Sequence, residues 1–111
     1  MFRRFFPRNR LHGWGHLRRQ RLTTQPVVCG PASRVRVSAT VGLANVQINT
    51  FGGFVDICDY VFFGHDVLLL TGTHDFRVTG AERQLARQTL DRNIVIESGA
   101  WIASRAVIIG P

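Results

Sequence analysis

Residues 51–74 read FGGFVDICDYVFFGHDVLLLTGTH and divide into four blocks of six, FGGFVD, ICDYVF, FGHDVL and LLTGTH. Each block opens on a large apolar residue: Phe51, Ile57, Phe63 and Leu69. The second place is small in three of the four (Gly52, Cys58, Gly64), and the fifth is Val55, Val61, Val67 and Thr73. A period of six suits neither the 3.6-residue helix nor simple strand alternation. It is the mark of a stacked repeat, in which each block supplies one short strand and one turn. The leading aliphatic then points into a narrow core, the fifth residue points inward nearer a turn, and the small second place relieves crowding where backbone is tightly folded.

Beyond residue 93 the pattern resumes as IESGAW, IASRAV and IIGP, with Ile96, Ile102 and Ile108 leading and Ala100 and Ala106 in fifth place. Upstream, VRVSATVGLANVQINT (35–50) has the same flavour through Val35, Val37, Val41, Val46 and Ile48 but slips in register, and is expected to form an irregular first coil. Leu70, Glu97 and Ile109 break the preference for a small second residue. Between the two regular runs lies a polar stretch, DFRVTGAERQLARQTLDRN (75–93), whose length fits an excursion outside the stack; long loops in compact domains are usually functional.

Length and charge set the bounds. A chain of 111 residues makes one domain, and 45% hydrophobic content argues against disorder. All 14 basic residues are arginine, and nine of them fall in residues 1–55, which hold no acid. Residues 56–111 carry the other five and all seven acids, so the net charge of +7 belongs to the N-terminal half. Residues 1–34 are therefore expected to form a basic, aromatic arm or capping segment, interrupted by Pro7, Gly13 and Gly15. Arg3, Arg4, Arg18 and Arg19 could hold an anionic membrane surface; a solvated arm is the plainer alternative. No nucleic-acid reader motif accompanies the arginines, so nucleic acid is not an expected partner. No apolar run reaches the ~20 residues of a membrane span. Cys29 and Cys58 suggest no disulfide framework, which fits a reducing, cytoplasmic setting, with peripheral contact at the inner face of the membrane as the option raised by the arm.

Residues 35–111, with VFFGHDVLLLTGTHD (61–75), the polar insertion, and IVIESGAWIASRAVIIGP (94–111), resemble the hexapeptide-repeat acyltransferases, and within them the maltose- and galactoside-type sugar O-acetyltransferases. The resemblance implies an all-β, left-handed parallel β-helix over 35–111. It implies transfer of an acetyl group from acetyl-CoA to a hydroxyl of a sugar or cell-surface saccharide precursor, in a homotrimer with sites between subunits. His74, at the strand end, matches the family's catalytic base, and the 75–93 loop would close over the acceptor. A neutral imidazole suits the removal of a hydroxyl proton near neutral pH. Its second nitrogen needs a partner, for which Asp75, Glu82 or a backbone carbonyl would serve.

Trp101 aligns with a tryptophan beside the acceptor and pantetheine channel, and a surface aromatic between subunits is its alternative role. Ala103 and Ser104 follow it on the coenzyme side. Asp66 is expected on the acceptor side, with Asp75, Glu82 and Arg77 as further substrate-binding candidates. Arg77, Arg83 and Arg87 could meet a sugar carboxylate or phosphates, or be solvated. No metal is expected. The fold also serves zinc enzymes that need three histidines, but His65 and His74 are the only ones within the repeats, and His12 and His16 flank Gly13 with Gly15 alongside. The chain stops in mid-block at IIGP, where family members continue for several coils, so a C-terminal truncation is expected. The alternative function is a non-catalytic remnant that only oligomerises or binds.

Overall fold

A computed structural model of the chain describes residues 25–88 and 91–111, with backbone alone for residues 87 and 88. The arm residues Arg3, Arg4, Arg18 and Arg19, and the pair His12 and His16, lie outside the described residues. The described chain is mostly short strands joined by turns, with one short α-helix and one turn of 3-10 helix at Ala32–Arg34, so the all-β expectation holds.

The strands assemble into three parallel sheets. Sheet A pairs β1 (Val27–Cys29), β3 (Gln47–Asn49), β6 (Leu68–Leu70) and β11 (Val107–Ile109) in that order. Sheet B pairs β2 (Val35–Val37), β4 (Val55–Ile57) and β9 (Ile94–Ile96), and sheet C pairs β5 (Phe62–Phe63) with β10 (Trp101–Ile102). From β3 onward the chain visits the three sheets in one cyclic order, A to B to C and back to A, whereas β2 of sheet B leads to β3 of sheet A with no sheet C strand between them. Partners on successive circuits are 20 or 21 residues apart, as in Arg36 with Asp56 and Asn45 with Asp66, and 39 apart where the polar insertion intervenes.

Two residues per block face inward, as the sixfold spacing demands. Val55 and Ile57, Val67 and Leu69, and Ile94 and Ile96 are buried pairs, as are Val46 and Ile48 upstream. Val61 is buried beside half-buried Phe63, and Ile102, Ile108 and Ala100 pack on the same cluster, which draws on all three sheets. Fully burying one such side chain is worth about 1.5–3 kcal/mol, and no single block could bury its own.

Crowding and positive φ fall at different places in the block. The second place is crowded: a Cβ on Gly64 would lie 2.3 Å from the Ser104 backbone nitrogen, and one on Gly52 would lie 2.1 Å from the Thr71 carbonyl oxygen. The positive φ falls two places later, at Tyr60 (58°), Asp66 (58°), Gly99 (79°) and Arg105 (63°), six residues apart within each run. Three of these four carry side chains and so bear a strain of about 1–2 kcal/mol each, least for Asp66, whose side chain type tolerates this region.

Two expectations need correction. Phe51 is not a core residue but 39% exposed; the turn from sheet A to sheet B is longer than those that enter and leave sheet C, and Thr50 and Gly52 on either side of Phe51 are buried. The slipped register upstream has a second source, the stretch from Val37 to Gln47, which is one residue shorter than its counterpart from Ile57 to Leu68. The repeat also begins before residue 35, because Val27–Cys29 pairs in full with Gln47–Asn49. Short as it is, VVC shows no periodicity that could have placed it.

Candidate functional site

The turn from sheet A to sheet B is made by residues 30–34, 50–54 and 71–93, which stack on successive circuits and are longer than the turns that enter and leave sheet C. Side chains, rather than strand pairing, hold this turn. Thr71 is fully buried, its Oγ1 donating to the Asn49 carbonyl (2.7 Å) and accepting from the Gly52 N–H (3.1 Å). Asn49 Oδ1 accepts from the N–H of Phe51 (3.1 Å) and of Gly72 (3.0 Å). Thr50, also fully buried, donates to the Pro31 carbonyl (3.0 Å).

Arg92 staples the insertion's return. Its Nε donates to the Thr71 carbonyl (2.8 Å), its Nη2 to the Gly110 carbonyl (2.6 Å), and its backbone N–H to the Gly52 carbonyl (3.2 Å). Three circuits are thereby tied at one residue. Arg34 does similar work one circuit earlier, donating from Nη1 to the Thr50 carbonyl (2.9 Å).

From this turn the insertion leaves as β7 (Thr73–His74) and returns through β8 (Arg87–Gln88), the two strands pairing antiparallel as Thr73 with Gln88 and His74 with Arg87. Beyond that stem lies α1 (Gly80–Leu85). His74 is exposed at the strand end, and its Nδ1 lies 3.1 Å from the Arg83 carbonyl oxygen. A carbonyl can only accept, so Nδ1 carries a proton, and in the neutral ring the lone pair is then on Nε2.

Of the candidate partners for His74, the backbone carbonyl is the one used. Asp75 is committed to Arg77, which donates to it from its backbone N–H (3.0 Å), Nε (3.0 Å) and Nη2 (3.3 Å). The Arg77 side chain holds the Asp75 carboxyl below its ordinary value, and the carboxylate in turn raises Arg77. Arg77 is thus paired with Asp75 while its side chain stays 70% exposed. Glu82 and Arg83 are exposed on α1.

Asp66 sits at a tight turn between sheets C and A, where its Oδ1 accepts from Asn45 Nδ2 (2.6 Å) and its backbone N–H donates to Asn45 Oδ1 (2.8 Å). It belongs to the opposite end of β6 from His74 and closes a corner. Trp101 is 68% exposed and stacks on Phe62 of the preceding circuit, ring centroids 6.0 Å apart and planes within 7°. Ala103 is exposed, and Ser104 Oγ accepts the backbone N–H of exposed His65 (3.0 Å). The structure thus brings His74, Asp75, Arg77 and Glu82 together on the insertion, and places Trp101, Ala103 and Ser104 together on and just past sheet C.

Two clefts open beside the long turn. One, of about 220 Å³, is lined by Arg34, Gly52, Gly53, Phe54, Asp91 and Asn93. The other, of about 290 Å³, is lined by Ser33, Arg34, Val35, Arg36, Phe54 and Asp56. None of Arg34, Phe54, Asp91, Arg92 or Asn93 stood out in the sequence. The one signal for them was the Gly52–Gly53 pair, at the point where spacing between inward pairs departs from six.

Among the described residues no group of three or more histidine, cysteine, aspartate or glutamate side chains could hold a metal ion. Cys29 and Cys58 are free thiols, and no described helix is long and apolar enough to cross a membrane. Compared with family models, with curated proteins and with solved structures, the chain finds no match.

Proposed function

We propose that the chain winds as a left-handed parallel β-helix and works as an acetyltransferase, moving an acetyl group from acetyl-CoA to a saccharide hydroxyl with His74 as general base. The observation that carries this is the placing of His74 at the mouth of the insertion with Nδ1–H held by the Arg83 carbonyl. That contact leaves Nε2 as a proton acceptor of fixed direction. The cyclic visiting of three parallel sheets supports the winding, and the likeness to sugar O-acetyltransferases supplies the reaction class.

In the reaction, Nε2 takes the hydroxyl proton as the oxygen attacks the thioester carbonyl. The tetrahedral intermediate then expels the coenzyme thiolate, which receives that proton from the imidazolium. Base catalysis of this kind contributes about 10²–10⁴-fold, with the remainder due to holding both substrates in place. Trp101, Ala103 and Ser104 would flank the coenzyme, and Trp101 with exposed Phe62 and Tyr60 would serve a homotrimer with sites between subunits. The arm arginines Arg3, Arg4, Arg18 and Arg19 would give peripheral contact with an anionic membrane from the cytoplasmic side.

The second reading is a binding module that does no chemistry. One observation favours it: neither of the two clefts beside the long turn is lined by His74. Thiol release from acetyl-CoA in the presence of neutral sugars decides between them. Release that needs sugar and disappears in His74→Ala, with the circular dichroism spectrum unchanged, supports the acetyltransferase. No release from a well-folded trimer supports the module.

A further inference from the structure

Resting on that reading for the identity of the acceptor, we infer that the paired clefts at the A-to-B turn form a two-subsite groove for adjacent rings of a neutral saccharide. The two clefts share Arg34 and Phe54, so they lie on either side of one aromatic ring and one guanidinium. Phe54 is 45% exposed, which leaves much of its side chain open to contact. An exposed ring offers an apolar platform to the C–H face of a pyranose.

The polar groups around it match vicinal hydroxyls, each of which both donates and accepts. Arg34 spends Nη1 on the Thr50 and Phe51 carbonyls, which fixes the guanidinium, while its remaining N–H groups make no hydrogen bond among the described residues. Asn93 Oδ1 accepts the Phe54 N–H (2.9 Å), so its amide N–H₂ is left to donate. Asp91 is exposed, with no ion pair or hydrogen bond among the described residues, and supplies two acceptor oxygens. Arg36 and Asp56 neutralise each other across the second cleft (3.3 Å), so neither sign dominates the groove. An uncharged, hydroxyl-rich ligand answers this set better than a phosphate or a carboxylate.

Size argues for one ring in each cleft. Volumes of about 220 and 290 Å³ fall short of the ~300–1,000 Å³ that houses a drug-sized molecule, and together they fall within it. Asp91 and Asn93 stand at the insertion's return, so a saccharide held here lies at the root of the segment that carries His74.

Calorimetry with glucose, cellobiose and cellotriose tests the groove. Affinity is expected to rise at least tenfold from glucose to cellobiose and to change little at cellotriose. Phe54→Leu, which keeps an apolar side chain but not a ring, is expected to weaken cellobiose at least tenfold. Asp91→Asn serves as a second variant, because asparagine readily adopts the local φ of 32° and the fold is not at stake; a fivefold loss is expected there. His74→Ala is expected to bind like the unaltered chain. Equal affinity for all three sugars, no binding by any, or binding indifferent to both variants overturns the groove. Cellobiose binding that follows these variants without acetyl transfer upholds the groove and removes the acetyltransferase. Transfer to sugars that ignores both variants does the reverse.

Discussion

The tight turns that enter and leave sheet C and the long turn from sheet A to sheet B solve one problem in opposite ways. At the tight turns a single residue takes a positive φ, at Tyr60, Asp66, Gly99 and Arg105, and the chain reverses at once into the next strand. Their geometry is set by the backbone, and the inward pairs on either side stay six residues apart. At the long turn the backbone wanders, and buried Thr50 and Thr71 with Asn49 and Arg92 tie it down through hydrogen bonds. A turn held by side chains can be lengthened without disturbing the strands it joins. That is where the insertion, His74 and both clefts are found.

The largest expected effect sets the two turns directly against each other. Inserting one alanine between Asp59 and Tyr60 reverses the facing of the strand that follows, because side chains alternate with a period of two. The pairing of Phe62 with Trp101 is then lost, and no cooperative thermal transition is expected. Two glycines inserted after Val78 should leave the melting temperature within a few degrees. Equal tolerance at both places would erase the distinction.

Next in size is the imidazole. His74→Ala is expected to lower acetyl transfer by about 10²–10⁴-fold with the melting temperature unchanged, as read by thiol release and calorimetry. Arg92→Met tests the side-chain ties. Losing charged donors to the Thr71 and Gly110 carbonyls should cost about 2 kcal/mol in urea unfolding, with hydrogen exchange rising first at Gly52 and Gly72. The smallest effect is a gain. Arg105→Gly relieves a strained φ of 63° and should add about 1 kcal/mol of stability, whereas Gly99→Ala, at φ 79°, should lose a similar amount.

Much of the architecture was legible because two inward residues per six is a demand that few other structures make. Val55 with Ile57, Val67 with Leu69, and Ile94 with Ile96 stand where that spacing puts them. The long turn was not legible because its residues invert the ordinary preferences. Polar Thr50 and Thr71 are fully buried, while Phe51 and Phe54 are exposed. Burial there is compensated by hydrogen bonds to carbonyls on neighbouring circuits, which no local pattern announces. Arg34 and Arg92 escaped notice for a related reason: an arginine in a sequence full of arginines looks solvated, yet both are tied to main-chain carbonyls. Of the candidate site, His74 was visible as a histidine closing an apolar strand, but its carbonyl partner on Arg83 depends on how the insertion folds back.

The antiparallel stem of Thr73 with Gln88 and His74 with Arg87 has a consequence for how such a chain can change. It clamps the departing and returning strands of the insertion side by side, so the stacked strands beyond feel only the clamp. Doubling a closed loop adds merely about 0.6 kcal/mol of closure entropy. The segment past the stem can therefore be extended or exchanged for another at small thermodynamic cost, and the imidazole at its base keeps its orientation so long as the replacement offers it a carbonyl as Arg83 does.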